Sequence, residues 1–160
     1  MNNYKELSED QKRQFARNMV QRRKAYERWL KDEEIDAHKD ILLVGDRPGP
    51  KAPQTDDYHN TPFYSKTYSG GWLNTTLTVA NIPEDRLFWV NAYTWDNKET
   101  DSKILRCSWK HIFALGNNAS NWCNKHGYAH LKVMHPQAHR RWNSKAPYDL
   151  IAHLLILHTT

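Results

Sequence analysis

The chain has 160 residues, which is enough for one compact domain and too few for two comfortable ones. A hydrophobic fraction of 39% and an aromatic fraction of 12% exclude wholesale disorder, and no apolar run approaches the roughly 20 residues of a membrane-spanning helix. The formal charge of +5 and the pI near 9.2 permit attraction to nucleic acid or an anionic surface without requiring either.

The two cysteines, Cys107 and Cys123, are too few for a four-cysteine zinc or iron–sulfur site. We therefore expect two reduced, partly buried thiols, no metal and no cofactor. The polar N-terminus does not look like a signal peptide, so we expect a cytoplasmic protein with no membrane partner. We also expect residues 1–160 to form a single domain and a monomer.

The first predicted element is a long helix over about 8–31. Ser8 can cap it, and Gln11 completes a capping box. Apolar residues fall close to one face of this helix, namely Phe15, Met19, Tyr26 and Leu30, with Trp29 alongside. Basic residues cover much of the rest, namely Arg13, Arg17, Arg22, Arg23, Lys24 and Arg28. We interpret the helix as amphipathic and packed on a sheet, which leaves its basic face free for DNA phosphates.

Four apolar segments are predicted as buried strands, at 41–44, 87–92, 111–115 and 129–134. Helices are predicted at 72–80, 117–125 and 147–158, the last closing the domain. A loop of about thirty residues follows the first strand, and loops of that length are often functional. Strands that alternate with helices predict an α/β fold, a three-layer α/β/α sandwich with a central four-stranded, mostly parallel sheet.

Glycine or polar residues stand at the end of every predicted strand. They are Gly45-Asp46-Arg47-Pro48-Gly49, Asn91, Gly116 and His135-Pro136. In open α/β sheets, ligands bind outside the carboxyl ends of the strands, so this edge is the expected active site. The first turn lacks the glycine patterns of phosphate-binding loops.

The order of these motifs resembles the uracil-DNA glycosylase superfamily. Its closest branches carry Gly-Glu-x-Pro-Gly, then a Gly-x-Pro-Phe segment, a Leu-Gly turn and a terminal His-Pro. The corresponding positions here are 45–49, 60–63, 115–116 and 135–136. The resemblance covers about residues 41–142, and it implies a uracil-DNA-glycosylase-like domain with this region as its motif-bearing core.

The resemblance implies hydrolysis of the N-glycosidic bond of a uracil or 5-substituted uracil that is flipped out of DNA. Phe63 would stack on the pyrimidine, and Asn91 would pair with its O4 and N3–H edge. His135 would stabilise the anion that grows on the base, and Asp46 would orient or polarise the attacking water. The turn residues that would also line the base are Gly45, Arg47 and Gly49.

The segment after the His-Pro motif matches the loop that family members insert into DNA. Its candidate DNA-binding residues are His139, Arg140, Arg141 and Trp142. The arginines would hold phosphates, and one bulky side chain would fill the hole left by the flipped base.

The chain departs from the family pattern in the first motif. Arg47 stands where some branches have a catalytic Asp or Asn, and Asp46 is one carbon shorter than the usual Glu. Gly49 stands where the most uracil-specific branch has a Tyr that blocks the 5-methyl group. Substituted uracils would then enter, unless Tyr64 or Tyr68 replaces that wall.

Each of these residues also has an ordinary structural interpretation. Phe63 alone would be core, Asn91 a turn or cap residue, and Arg140 and Arg141 solvated charges. Two further functional classes therefore stay open. One is an enzyme of the same fold that modifies a pyrimidine base or nucleotide without releasing it. The other is a DNA-binding module without catalysis.

Overall fold

A computed structural model of the chain describes residues 3–48, 61–66, 68–142 and 145–159, with only the backbone at 68 and 69. The helices in this part of the chain are α1 Glu9–Leu30, α2 Tyr68–Val79, α3 Asn117–Lys125, α4 Pro136–Trp142 and α5 Asp149–His158. The strands are β1 Ile41–Gly45, β2 Leu87–Asn91, β3 His111–Leu115 and β4 Leu131–Val133. Short 3-10 turns lie at Tyr4–Glu6 and Ser102–Arg106.

The four strands form one sheet in the order β2-β1-β3-β4, and every pair is parallel. Gly45 pairs in register with Asn91, so β1 and β2 end level with each other. The predicted four-stranded parallel sheet is confirmed. The fourth strand is shorter than predicted, because it forms the edge of the sheet and pairs only over three residues.

Alternate strand residues face opposite helical layers, as the strand period of two requires. One face is covered by α2 and α5, and its buried strand residues are Ile41, Leu43, Leu87, Trp89, Phe113, Leu115 and Val133. The other face is covered by α3 and by Ala25 and Trp29 of α1, and its buried strand residues are Leu42, Val44, Phe88, Val90 and Ala114. This arrangement is consistent with the predicted three layers.

Helix α1 begins as predicted. The Ser8 N–H donates to Gln11 Oε1 at 2.9 Å, and the Gln11 N–H donates to Ser8 Oγ at 3.1 Å. The predicted basic face is wrong at Arg22, which is only 3% exposed and pairs with Glu84. Leu30, predicted on the apolar face, is exposed at the end of the helix.

Three other boundaries differ from prediction. Residues 137–142, predicted as a DNA-inserting loop, belong to helix α4, and Pro136 suits its first position. Helix α2 begins before the predicted 72, and Gly71 within it packs so tightly that a Cβ would lie 2.3 Å from the Lys66 carbonyl carbon. Helix α5 begins at Asp149 rather than at 147.

Strand β1 lies between β2 and β3 in the sheet. The chain passes from β1 to β2 across one face of the sheet and from β2 to β3 across the other face. Helix α2 follows β1 on one face, and α3 follows β3 on the other. The loops after β1 and β3 therefore part above the sheet, and such a switch point is where open α/β sheets bind ligands. None of the described helices is long and apolar enough to cross a membrane.

Candidate functional site

The candidate site begins where β1 and β2 end. A Cβ built on Gly45 would lie 2.6 Å from Asn91 Oδ1 and 2.8 Å from Phe63 Cε2. The Asn91 amide and the Phe63 ring therefore meet over the backbone of Gly45, an approach that only glycine permits. Asn91 is 6% exposed, and its backbone carbonyl accepts a hydrogen bond from the Thr100 hydroxyl. The structure therefore brings together three of the predicted base-binding residues, Gly45, Phe63 and Asn91.

Phe63 is half-buried and lies between two other rings. Its ring meets Trp89 of β2 edge-on at a centroid distance of 5.7 Å, and it lies 6.0 Å from the His135 ring at 49°. The Phe63 ring therefore contacts both β2, through Trp89, and the segment after β4, through His135. Because it is only partly buried, part of its surface is left for contact with a ligand.

His135 follows β4 and packs over the turn after β3. A Cβ on Gly116 would lie 3.1 Å from His135 Cβ, and Gly116 has a φ of +98°. Both the close approach and the positive φ require glycine here. All four predicted strand ends, at 45–46, 91, 116 and 135, therefore meet at one edge of the sheet.

The hydrogen bonding of His135 defines which ring nitrogen carries the proton. The Gln137 N–H donates to His135 Nδ1 at 3.0 Å, so Nδ1 is the acceptor and the neutral ring carries its proton on Nε2. Burial lowers the pKa of His135 from its ordinary value, and the negative charge of Asp46 offsets this only in part. His135 is thus a neutral donor at pH 7, which suits it to stabilise a developing anion.

Asp46 is half-buried and its carboxylate is held from two sides. Asn118 Nδ2 donates to Asp46 Oδ2 at 3.0 Å, and Arg47 Nε donates to Asp46 Oδ1 at 3.3 Å. Asn118 stands in the first turn of α3 and was not among the predicted site residues. The only signal in the sequence was its place just after the Leu-Gly turn. Its contact with Asp46 spans 72 positions of the chain.

Arg47 is exposed and engages the segment after β2. Its guanidinium carbon lies 5.4 Å from the centroid of the Tyr93 ring, and its Nη1 donates to Asn97 Oδ1. The same segment extends the pairing of β1 with β2, since the Tyr93 N–H donates to the Asp46 carbonyl at 2.9 Å. These contacts hold Arg47 at the rim of the site, beside Asp46.

Three positions bear on the size of the predicted base pocket. Tyr64 is half-buried and packs against the cluster of Leu7, Phe15 and Met19 near the N-terminus, and its place in the pocket wall stays a prediction. Gly49 and the side chain of Tyr68 lie outside the described residues.

The predicted DNA-binding group divides into buried and exposed residues. His139 is 4% exposed, its Nε2–H donates to the Ala146 carbonyl at 3.0 Å, and its ring packs 4.9 Å from Tyr148 and 5.4 Å from Trp72. Its predicted contact with DNA is therefore wrong, because this side chain fastens α4 to the core. Arg140, Arg141 and Trp142 are exposed, Trp142 at 75%.

Within the described part of the chain, no three His, Cys, Asp or Glu side chains are grouped so as to hold a metal ion. Cys123 is buried and Cys107 is exposed, and neither forms a disulfide. Comparison of the chain with models of known protein families and with curated proteins gives no match.

Proposed function

We propose that the protein is a DNA glycosylase of the uracil-DNA glycosylase type, which hydrolyses the N-glycosidic bond of a flipped uracil or 5-substituted uracil. The observation that carries this proposal is the convergence of Phe63, Asn91 and His135 at the carboxyl edge of a parallel sheet. An aromatic surface, an amide and a neutral imidazole are the groups that such a reaction needs.

Binding of the base would use Phe63 and Asn91. The pyrimidine would stack on the part of the Phe63 ring that is not buried, at the level of the Asn91 amide. The amide nitrogen of Asn91 would donate to O4 and its oxygen would accept from N3–H. Cytosine presents an amino group and an unprotonated N3 at those positions, so each atom of Asn91 would meet the wrong partner.

Bond cleavage would use His135 and Asp46. As the bond between C1′ and N1 breaks, its electron pair passes to the base, and negative charge grows on O2. The Nε2–H of His135 would donate to that oxygen, which supports departure of the base without a full proton transfer. Asp46 would orient a water toward C1′, and the proton released by the water would pass to the carboxylate or to solvent.

DNA would be held outside the pocket by the exposed end of α4. Arg140 and Arg141 supply positive charge, and Trp142 supplies a large ring that can stack on bases. The net charge of +5 favours the same partner. A cytoplasmic, monomeric protein that needs no cofactor remains a prediction.

The hydrogen bonding of Asp46 favours the alternative functions that do not require hydrolysis. Both carboxylate oxygens already accept hydrogen bonds, from Asn118 and Arg47, so orienting a water requires a remaining lone pair. A site that binds a pyrimidine in DNA and modifies it, or only holds it, would have less need of that water.

Release of free base from labelled single- and double-stranded DNA tests the proposal. The substrates carry uracil, thymine, 5-hydroxymethyluracil or cytosine, and alkali then cleaves any abasic site. We expect release from a uracil-type base and a loss of about 100-fold in rate for His135→Ala, the size typical of one lost oxyanion donor. His153→Ala is the matched control, because His153 lies in α5 against Phe113 and outside the site.

Two results would count against this proposal. One is the absence of release from every substrate by a folded protein that binds DNA, which favours modification or binding. The other is release that is equally fast in wild type and His135→Ala, which would show that the assigned site is wrong.

A further inference from the structure

Arg22 and Asn74 lie outside the candidate site, yet both contact the short segment that presents Phe63 to it. We propose that Arg22 and Asn74 form a buried clamp, completed by Glu84, that positions Phe63 for stacking on the base. This inference rests on the proposed function for its substrate, and the three residues of the clamp are positioning residues.

Asn74 of α2 binds the Phe63 segment through both hydrogens of its amide. Its Nδ2 donates to the Phe63 carbonyl at 2.6 Å and to the Ser65 carbonyl at 3.1 Å. Its Oδ1 accepts from Arg22 Nη1 at 2.9 Å. The amide can rotate only by losing these bonds, so its orientation is determined from both ends.

Arg22 of α1 contacts the same segment. Its Nη1 lies 3.3 Å from the Pro62 carbonyl oxygen and 3.4 Å from the Phe63 carbonyl oxygen. The Phe63 carbonyl thus accepts from both Arg22 and Asn74. Two helices therefore hold the backbone on each side of the Phe63 side chain.

Glu84 fixes the position of the Arg22 guanidinium. Its Oε1 accepts from Arg22 Nε at 2.7 Å, and its Oε2 accepts from Arg22 Nη2 at 3.2 Å. Arg22 is 3% exposed, Asn74 1% and Glu84 2%, so neither charge is solvated and each requires the other. The bidentate pair sets the plane of the guanidinium, which a lysine in its place would not reproduce.

The clamp also acts on the ring against which Phe63 packs. The guanidinium carbon of Arg22 lies 4.1 Å from the centroid of the Trp89 ring, which is cation–π contact. Trp89 in turn meets the Phe63 ring edge-on. Arg22 therefore holds the backbone of Phe63 and the aromatic neighbour of its side chain.

The conformation of Phe63 explains why such holding is needed. Its φ is +54°, in the left-handed region that a bulky residue seldom adopts. Strained residues of this kind persist only where their surroundings over-determine them, and they cluster at functional sites. The pair with Glu84 would by itself be enough to neutralise the buried charge of Arg22. The additional hydrogen bonds to the backbone carbonyls at 62, 63 and 65 give the network a second role, which is to hold the Phe63 segment.

The experiment separates positioning from mere support of the fold. Asn74→Asp keeps an oxygen for Arg22 but loses both donors to the Phe63 segment, and Asn74→Ala removes the whole side chain. Arg86→Lys is the matched control, because Arg86 also forms a bidentate pair, with Asp40 at 2.9 Å and 2.9 Å, and donates to a carbonyl, that of Leu157 at 2.8 Å. That pair lies at the opposite, amino edge of the sheet.

Two readouts are followed in each variant alongside circular dichroism and the melting temperature. One is the NMR chemical shifts of the His135 ring protons, which sense the ring current of Phe63 at 6.0 Å. The other is kcat and KM for release of uracil from DNA. The NMR measurement can be made whether or not the protein releases uracil.

We expect both Asn74 variants to move the His135 resonances and to raise KM about tenfold, with a smaller change in kcat. Arg86→Lys should lower the melting temperature and leave the His135 resonances and KM unchanged. Adding Phe63→Leu to Asn74→Asp should then raise KM little further, since the ring is already misplaced.

Asn74 variants that melt earlier but keep wild-type His135 resonances would overturn the clamp and leave only a structural role. If wild type releases no base and the resonances still move, the clamp stands and the proposed glycosylase fails. If base release is normal in wild type and in both Asn74 variants, the glycosylase stands and the clamp fails. Should neither Asn74 variant fold, Arg22→Lys, which keeps a positive charge opposite Glu84 but loses the planar guanidinium, decides the question through the same His135 resonances.

Discussion

The side chain of Asn91 lies directly against the backbone of Gly45, and an added Cβ at Gly45 would come 2.6 Å from Asn91 Oδ1. Gly45→Ala should therefore displace the Asn91 amide and the Phe63 ring together. We expect destabilisation of about 1–3 kcal/mol, as for other overpacked sites, and poorer discrimination between uracil and cytosine. Urea unfolding and base release from the two substrates measure these effects. A variant with wild-type stability and discrimination would show that the close approach is not required.

The neutral state of His135 predicts a pH dependence. Since burial lowers its pKa, the unfolded chain binds the extra proton at a higher pH than the folded chain does. Stability due to this group is therefore fully present above about pH 6.5 and is lost as the pH falls toward the folded pKa. Protonation at Nδ1 would also break the bond from the Gln137 N–H.

We therefore expect kcat/KM to fall on the acid side with an apparent pKa below about 6.5. NMR titration of the His135 ring should give the same pKa. A His135 pKa above that value, or an acid limb that persists unchanged in His135→Ala, would contradict the assignment.

Asn118 is predicted to act on the reaction through Asp46. Asn118→Ala removes the donor to Asp46 Oδ2 and should lower kcat about tenfold, with little change in KM, since a hydrogen bond to a charged group contributes about 1.5 kcal/mol or more. The matched control is Asn117→Ala, because Asn117 Oδ1 accepts from Lys132 Nζ instead. Equal kcat values for the two variants would exclude this role.

The exposed end of α4 is predicted to contact DNA phosphates and bases. Arg140→Ala should reduce the slope of log affinity against log salt concentration by about 1, and Trp142→Ala should weaken binding with little change in slope. Fluorescence anisotropy of labelled DNA at several salt concentrations measures both. Lys110→Ala is the control, because Lys110 is exposed at the amino edge of the sheet. If Lys110→Ala weakened DNA binding more than Arg140→Ala or Trp142→Ala, DNA would bind at the amino edge of the sheet and the prediction would be wrong.

The ion pair of Asp40 and Arg86 is predicted to contribute to acid stability. Hydrogen bonding from Arg86 holds the pKa of Asp40 below its ordinary value of 3.8. This stabilisation is present above that value and is lost as the pH falls through the folded pKa. Between pH 5 and pH 2, wild type should lose more stability than Asp40→Asn, as urea unfolding would show. Parallel losses in both proteins would contradict the coupling.

The sequence alone predicted the features that depend on neighbouring residues. The apolar run at 41–44 gave a buried strand, and Ser8 with Gln11 gave the helix cap, because both signals are local. The positions of Gly45, Asn91, Gly116 and His135 at strand ends also followed. Once the strands are parallel, their carboxyl ends must meet at one edge.

Only the tertiary structure decided which charges and aromatic rings turn inward. Arg22 looked like a solvated helix residue, and its burial depends on Glu84, which is 62 positions away. His139 looked like a surface residue of a basic segment, but it packs on Tyr148 and binds the Ala146 carbonyl. Burying a polar group is favourable only when its partners are in place, and the pairing of distant partners is a property of the folded chain.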